Sequence, residues 1–204
     1  MKDHFAVRSE EYDRTDYRLK YVDEMAKAIR ERVPLGREST LLDFGAGTGL
    51  LTERLAPRVG RIVAVDISPS MIAKLREKAP RLPCEIETLQ WDMTRGELPA
   101  LRVDGIVSTM TFHHIEDPQA LIRRLSTLLK PGGFVAICDI DREDGSFHTI
   151  DTGVRHHGFD REDFGKWLES AGLEGVSVED ATTIVKPHGA YPAFIATGFA
   201  PAAG

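Results

Sequence analysis

Cysteine is nearly absent from this 204-residue chain, with Cys84 and Cys138 the only two. They lie in separate apolar runs, PCEIETL and FVAICDI, with no C-x-x-C pair. A thiolate zinc site is therefore not expected, and free thiols in a reducing compartment are expected rather than a disulfide. No apolar run approaches the ~20 residues of a membrane span, and the opening MKDHFAVRSEEYDR carries no signal-peptide core. The expectation is a soluble, cytoplasmic protein without a membrane partner. Positive charge is not in excess either: 26 Lys and Arg face 32 Asp and Glu, for a net charge of −6. The most basic stretch, residues 18–32, interleaves both signs at helical spacing, as a solvated helix face does. Without a basic stripe, nucleic acid is not expected as a partner.

What is present is alternation. Residues 16–33 place Tyr17, Tyr21, Met25, Ala28, Ile29 and Val33 near one helical face, with Pro34 and Gly36 as the stop. TLLDF reads as a buried strand, GLLTERLAPRV as a helix, RIVAVDI as a strand, and SPSMIAKLREKA as a helix capped by Ser68 with Pro69 at its first position. CEIETLQ and VDGIVSTM are two more strands. A helix opened by Asp117 and Pro118 follows, closed by the turn KPGG, then the strand FVAICDI. A last helix runs from the cap Asp160 to the stop Gly172, and EGVSVEDATTIVK and AFIATGFA close the chain as strands joined by KPHGAYP.

Strands separated by helices of this length predict an α/β domain with a doubly wound, mostly parallel sheet, since right-handed crossovers lay a helix on each face. Seven strands are expected, the final pair forming an antiparallel hairpin at one edge. Residues 142–158 form the one long stretch without periodicity, and an insert of that length points to a functional loop.

In such a sheet ligands bind beyond the carboxyl ends of the strands. LLDFGAGTGLLT lies there. Gly45, Gly47 and Gly49 allow a sharp turn out of the first strand and a close backbone approach to a ligand, whose oxygens the loop amides and the following helix can meet. The dinucleotide fingerprint G-x-G-x-x-G needs a third glycine where Leu50 stands, and no Lys-Ser or Lys-Thr follows to make a P-loop. A nicotinamide-linked oxidoreductase is accordingly disfavoured.

The pattern from Asp43 to Gly49 is instead D-x-G-x-G-x-G. With VAVDISPSMI, WDMTRGELP and LLKPGGFVAI in order behind it, and FAVRSEEYD ahead of it, nearly the whole chain resembles the class I S-adenosylmethionine-dependent methyltransferases. The likeness is greatest to the small bacterial ubiquinone-biosynthesis and small-molecule branch. It implies a Rossmann-like methyltransferase fold over residues 1–204 as a single domain, with 1–36 as N-terminal lid and helix. It also implies S-adenosyl-L-methionine as cofactor and a small-molecule methyl acceptor; oligomeric state is left open.

The residues support that cofactor. Asp66 ends the second strand roughly 20 residues beyond the first glycines, the distance at which a carboxylate accepts both ribose hydroxyls. Ile67 and Met71 offer apolar surface to an adenine ring, with Met71 equally suited to the core; the resemblance makes Asp92, otherwise a solvated turn aspartate, an acceptor for the adenine amino group and Met93 its cover. The resemblance adds Ala46 within the glycine loop, Thr109 at the end of the fourth strand, and Tyr12 of the lid over the methionine end. Asp43 is expected to orient loop amides and, through water, the cofactor ammonium.

Methyl transfer is an in-line displacement that demands alignment and exclusion of water more than strong acids. Where a proton must leave the nucleophile, histidine suits neutral pH. His113 and His114, after the fourth strand, are the catalytic candidates, one of them facing the pocket. His148, His156 and His157 lie farther along. Asp139 and Asp141 with His148 form a conceivable metal set, but loop capping or substrate binding is the preferred use, and no metal is expected. The lid, residues 142–158 and the final hairpin should shape the acceptor pocket, where Glu143, Asp144 and Asp151 hint at a polar or cationic acceptor. A non-catalytic sensor of S-adenosylmethionine or its demethylated product is the alternative.

Overall fold

The computed structural model describes residues 16–150 and 152–203. Helix α1 (Asp16–Arg32) leads into β1 (Thr40–Phe44), α2 (Leu50–Leu55), β2 (Arg61–Asp66), α3 (Pro69–Lys78), β3 (Glu85–Gln90) and β4 (Val103–Thr109). Then come α4 (Pro118–Ser126), β5 (Leu129–Ile140), α5 (Arg161–Ser170), β6 (Glu174–Lys186) and β7 (Gly189–Phe199). The sheet has seven strands in the order β3-β2-β1-β4-β5-β7-β6. β1 to β5 pair in parallel, while β7 runs antiparallel to both β5 and β6. The expected hairpin therefore closes one edge, and β7 inserts between β5 and β6.

Local chemistry starts and stops the helices where the sequence places the signals. The Ser68 hydroxyl accepts from the Met71 amide at the start of α3, Asp117 accepts from Ala120 at α4, and Asp160 accepts from Glu162 and Asp163 at α5. The KPGG segment differs from expectation. It is part of β5, whose register against β4 jumps from Leu129↔Val103 to Phe134↔Gly105, so it acts as an irregularity within the strand rather than a terminating turn.

Two apolar layers hold the sheet. On one face α1 and α2 bury Met25, Ile29, Leu51 and Leu55 against Leu41, Ile62 and Ala136. On the other, α4 and α5 bury Leu121, Leu125, Phe164 and Leu168 against Leu42, Ile106, Val135 and Phe194. Both faces being covered explains why the central strands read as continuous apolar runs. Among the described residues, no helix is long and apolar enough to cross a membrane. Both cysteines are free, and burial pushes the Cys138 thiol strongly upward, which makes it inert packing.

Candidate functional site: a cavity at the carboxyl ends of the strands

Beyond the carboxyl ends of β1, β2 and β4 lies a cavity of about 590 Å³. One wall is the glycine loop. Gly45 has φ +71, and a Cβ there would stand 2.3 Å from the Thr111 side chain, so the loop can press against the segment after β4 only as glycine. The Thr111 hydroxyl in turn donates to the Gly45 carbonyl at 3.3 Å. Asp66 joins loop to strand: its Oδ2 accepts from the Gly47 amide and its Oδ1 from the Ser68 amide, both at 2.8 Å. These bonds hold the carboxylate at the rim of the cavity that it lines.

Of the residues singled out in the sequence, Gly45, Gly47, Asp66, Ile67, Met71, Asp92, Met93, Thr109 and His114 line this cavity together. Asp92 is shaped by its own turn. Burial alone would raise its pKa, but hydrogen bonds from the Thr94 hydroxyl and amide and the Arg95 guanidinium, 2.6 Å away, outweigh burial and hold it below the ordinary carboxylate value. Asp43, Ala46, Gly49 and His113 are not lining residues. Asp43 is buried beneath the loop, where its Oδ2 accepts from the Thr52 hydroxyl at 2.6 Å. Burial pushes its carboxyl up to about 7 against that hydrogen bond, and the nearby Asp66 charge adds to the rise. Tyr12 lies outside the described residues, as does Asp151.

The opposite wall carries the histidines. His114 lines the cavity, whereas His113 is buried behind it with its Nδ1 2.7 Å from Asp139 Oδ1. Asp139 Oδ2 also accepts from the His113 amide at 3.3 Å. In the uncharged imidazole a carboxylate at Nδ1 favours the proton there, with the lone pair at Nε2. That nitrogen lies 3.2 Å from His148 Nε2, and Thr152 Oγ1 is 3.2 Å from His148 Nδ1.

His148 arrives on residues 142–158, whose two ends are zipped together. Arg142 donates its amide to the Phe159 carbonyl, Glu143 to His157, and Phe159 to Ile140. Gly158, at φ +72, is needed at this closure because a Cβ would lie 2.0 Å from the Asp141 carbonyl oxygen. The loop then docks by donating the Arg155 and His156 amides to the His113 carbonyl at 2.9 and 3.1 Å. It is thus a compact surface loop of the packed kind. Two acidic residues have local duties. Glu143 Oε2 accepts from the Gly145 and Phe147 amides at 2.9 Å, and Asp141 forms a two-point pair with Arg161 at 2.7 and 2.8 Å. Asp141 is therefore drawn away from any shared use with Asp139 and His148, and Glu143 holds the loop's own turn.

Sequence reasoning missed several cavity residues. Met110 and Thr111 follow β4 directly, and Met110 takes φ +55, a conformation that a non-glycine residue adopts only where its surroundings enforce it. The rule that ligands gather at strand ends could have found both. Arg155 also lines the cavity, and no local signal marks it, because only the docking of the loop brings it there.

A family model described as a methyltransferase domain matches residues 16–178. The chain belongs to the class I S-adenosylmethionine-dependent methyltransferases. Among the relatives of this methyltransferase domain, an uncharacterized methyltransferase of Mycobacterium tuberculosis is 39% identical over 105 residues, 52% of each chain. Phosphoethanolamine N-methyltransferase 3 of Arabidopsis thaliana is 34% identical over 164 residues, 78% of this chain and 34% of that one. The match thus spans about half the length of the mycobacterial relative and less of the plant one. In fold, the domain is similar to a chain of the complex between the Haloferax volcanii Trm112 methyltransferase activator and a methyltransferase. The TM-score is 0.79 at 18% identity, covering 98% of this chain and 99% of that one. Haemonchus contortus phosphoethanolamine N-methyltransferase 2 in complex with S-adenosyl-L-methionine gives 0.73 at 17% identity, covering 98% and 60%.

Proposed function

We propose that this chain is an enzyme that transfers the methyl group of S-adenosyl-L-methionine to a small molecule. The observation that carries the proposal is the meeting, in one cavity, of Gly45, Gly47, Asp66 and Asp92 with a wall that ends in His114. The residues fit the cofactor. Asp66 is held by two amides with its carboxylate at the rim, as an acceptor for two ribose hydroxyls must be, and the bare Gly47 backbone leaves room for a ligand against it. Ile67, Met71 and Met93 supply apolar contact for the adenine, with Asp92 as acceptor for its amino group. Ala46, Gly49 and Asp43 act from behind the wall by setting the loop's path, and Tyr12 closes over the methionine end. Residues 1–204 work as a single domain, in which 1–36 form the lid and first helix.

The cofactor supplies an electrophilic methyl on a sulfonium sulfur; the chain's part is alignment and exclusion of water. His114 faces the acceptor, and His113, fixed by Asp139, is the positioning residue behind it. The acceptor is a small molecule. Similarity to proteins named phosphoethanolamine N-methyltransferases supports small amines as the first acceptors to try, while the motif resemblance supports the small bacterial ubiquinone-biosynthesis and small-molecule branch.

The test is calorimetric titration with S-adenosylmethionine and S-adenosylhomocysteine, followed by turnover of methyl-labelled cofactor over a panel of amines, phosphoethanolamine and phenols. Saturable binding with label transfer to at least one acceptor is the expected result. Binding of neither form sinks the proposal, and binding without transfer to any acceptor favours the sensor reading instead.

A further inference from the structure

The turn after β4 and the loop 142–158 bring three imidazoles together. The rings of His113 and His114 have centroids 4.3 Å apart, those of His113 and His148 5.1 Å, and those of His114 and His148 5.7 Å. One ring nitrogen from each falls within 4.8 Å of the other two. We propose that His113, His114 and His148 form a binding site for one divalent transition-metal ion of the zinc type, with Asp139 as the carboxylate that orients His113. This inference does not depend on the methyltransferase reading.

Four observations converge on it. Zinc–imidazole bonds of about 2.0–2.1 Å set tetrahedral nitrogen–nitrogen separations of about 3.3 Å, and the His113 and His148 Nε2 atoms already stand 3.2 Å apart. Carboxylate to Nδ1 with Nε2 free to ligate is the arrangement in which metal-binding histidines are held, and the Asp139 contact at 2.7 Å provides it inside a fully buried setting. His148 is itself held from behind, with Thr152 Oγ1 3.2 Å from its Nδ1 and the Phe147 ring packed at 5.1 Å from Tyr191 and 4.8 Å from His148. Finally, all three donors are imidazole nitrogens, a set that selects zinc, cobalt, nickel or copper over magnesium and calcium.

The donor set differs from the carboxylate-rich one that the sequence brings to mind. Asp141 is taken by Arg161, and Asp139 serves the histidine rather than the ion. Three nitrogen ligands leave at least one coordination position open, and because His114 lines the cavity the ion would stand at its histidine wall. Ligation by His148 would also tie the loop to the end of β4, adding a metal bond to the amide contacts that dock it.

Metal-stripped protein titrated with Co²⁺ should develop the visible d–d absorption of a nitrogen-ligated, low-coordinate ion at one equivalent, displaced by Zn²⁺ and not by Mg²⁺. His148→Ala should weaken Co²⁺ and Zn²⁺ affinity at least a hundredfold, and Asp139→Asn roughly ten- to a hundredfold. S-adenosylhomocysteine binding, or failing that far-ultraviolet circular dichroism, checks that each variant is folded, and His148→Asn stands in should the alanine variant fail that check. Zn²⁺ should in addition slow proteolysis within residues 142–158 of the wild type and not of the His148 variant. Absence of saturable Co²⁺ binding by the wild type overturns the proposal. So does an affinity unchanged by loss of His148.

Discussion

The carboxylates of the glycine-loop wall are held by partners within one crossover or one turn, although Gly45 also meets Thr111 across 66 residues, whereas the His113 contacts of the histidine wall, to Asp139 and His148, join separate elements. Gly47 and Asp66 are 19 residues apart and are brought side by side by a single β-α-β unit, while Asp92 is shaped entirely by Thr94 and Arg95 in its own turn. On the other side His113 meets Asp139 across 26 residues and His148 across 35. The Gly47–Asp66 contact is a property of one crossover motif. The histidine wall exists only after β4, β5 and the loop 142–158 have packed, the loop docking through two amide bonds to the His113 carbonyl and through Phe147 against Tyr191 and Lys186.

The comparison can be broken, beginning with the carboxyl buried beneath the glycine loop. Asp43 has its carboxyl pushed up to about 7 by burial, from an ordinary value of 3.8. Between about pH 4 and 7 the folded protein therefore keeps a proton that the unfolded chain has lost. This stabilisation is fully present below about pH 4 and is lost as pH rises through 7. Asp43→Asn should flatten that dependence, removing a difference on the order of 4 kcal/mol between the two ends of the window. Urea denaturation at several pH values checks it, and an unchanged slope would mean that Asp43 ionises freely in the fold.

A smaller effect should separate the walls directly. Asp66→Ala removes the acceptor for the Gly47 amide and, on the proposed reading, for the ribose hydroxyls as well. S-adenosylhomocysteine affinity should fall on the order of a hundredfold, about 3 kcal/mol, while proteolysis of the loop 142–158 stays at the wild-type rate. Equal disturbance of both regions would show that the walls are coupled and not separately built.

The smallest expected effect is the mirror of that one. Glu143→Ala frees the Gly145 and Phe147 amides inside the loop and should cost it about 1 kcal/mol of local stability. Amide hydrogen exchange within residues 142–158 should speed up several-fold, with cofactor affinity unaltered. Protection unchanged by the substitution would place the loop's stability in its zipped ends and in Lys186, whose ammonium donates to the Phe147 carbonyl and stands 3.3 Å from that ring's centroid.

How much was legible beforehand follows the same division. Ser68, Asp117 and Asp160 could be named as caps because a cap is satisfied by an amide two or three residues away. The glycine loop and Asp66 were legible for a related reason: strand, turn, helix and strand follow one another without interruption. KPGG was misread as a simple stop because its irregular pairing with β4 depends on a partner strand more than twenty residues away. Glu143 carries a charge that invites a role toward substrate, yet its side chain is only 10% exposed and is spent on its own loop. Arg155 carried no signal at all.

By itself, then, the order of residues determined the alternation of strands and helices, the capped ends of α3, α4 and α5, and a close-approach backbone followed by a carboxylate. Each of these depends on propensities and hydrogen bonds that act within a few residues or one crossover. Only the tertiary structure decided which of two adjacent histidines faces the cavity, which aspartate holds the other, and that His148 joins them. Those outcomes rest on side chains meeting across the ends of separately formed strands, and a one-dimensional pattern does not carry that geometry.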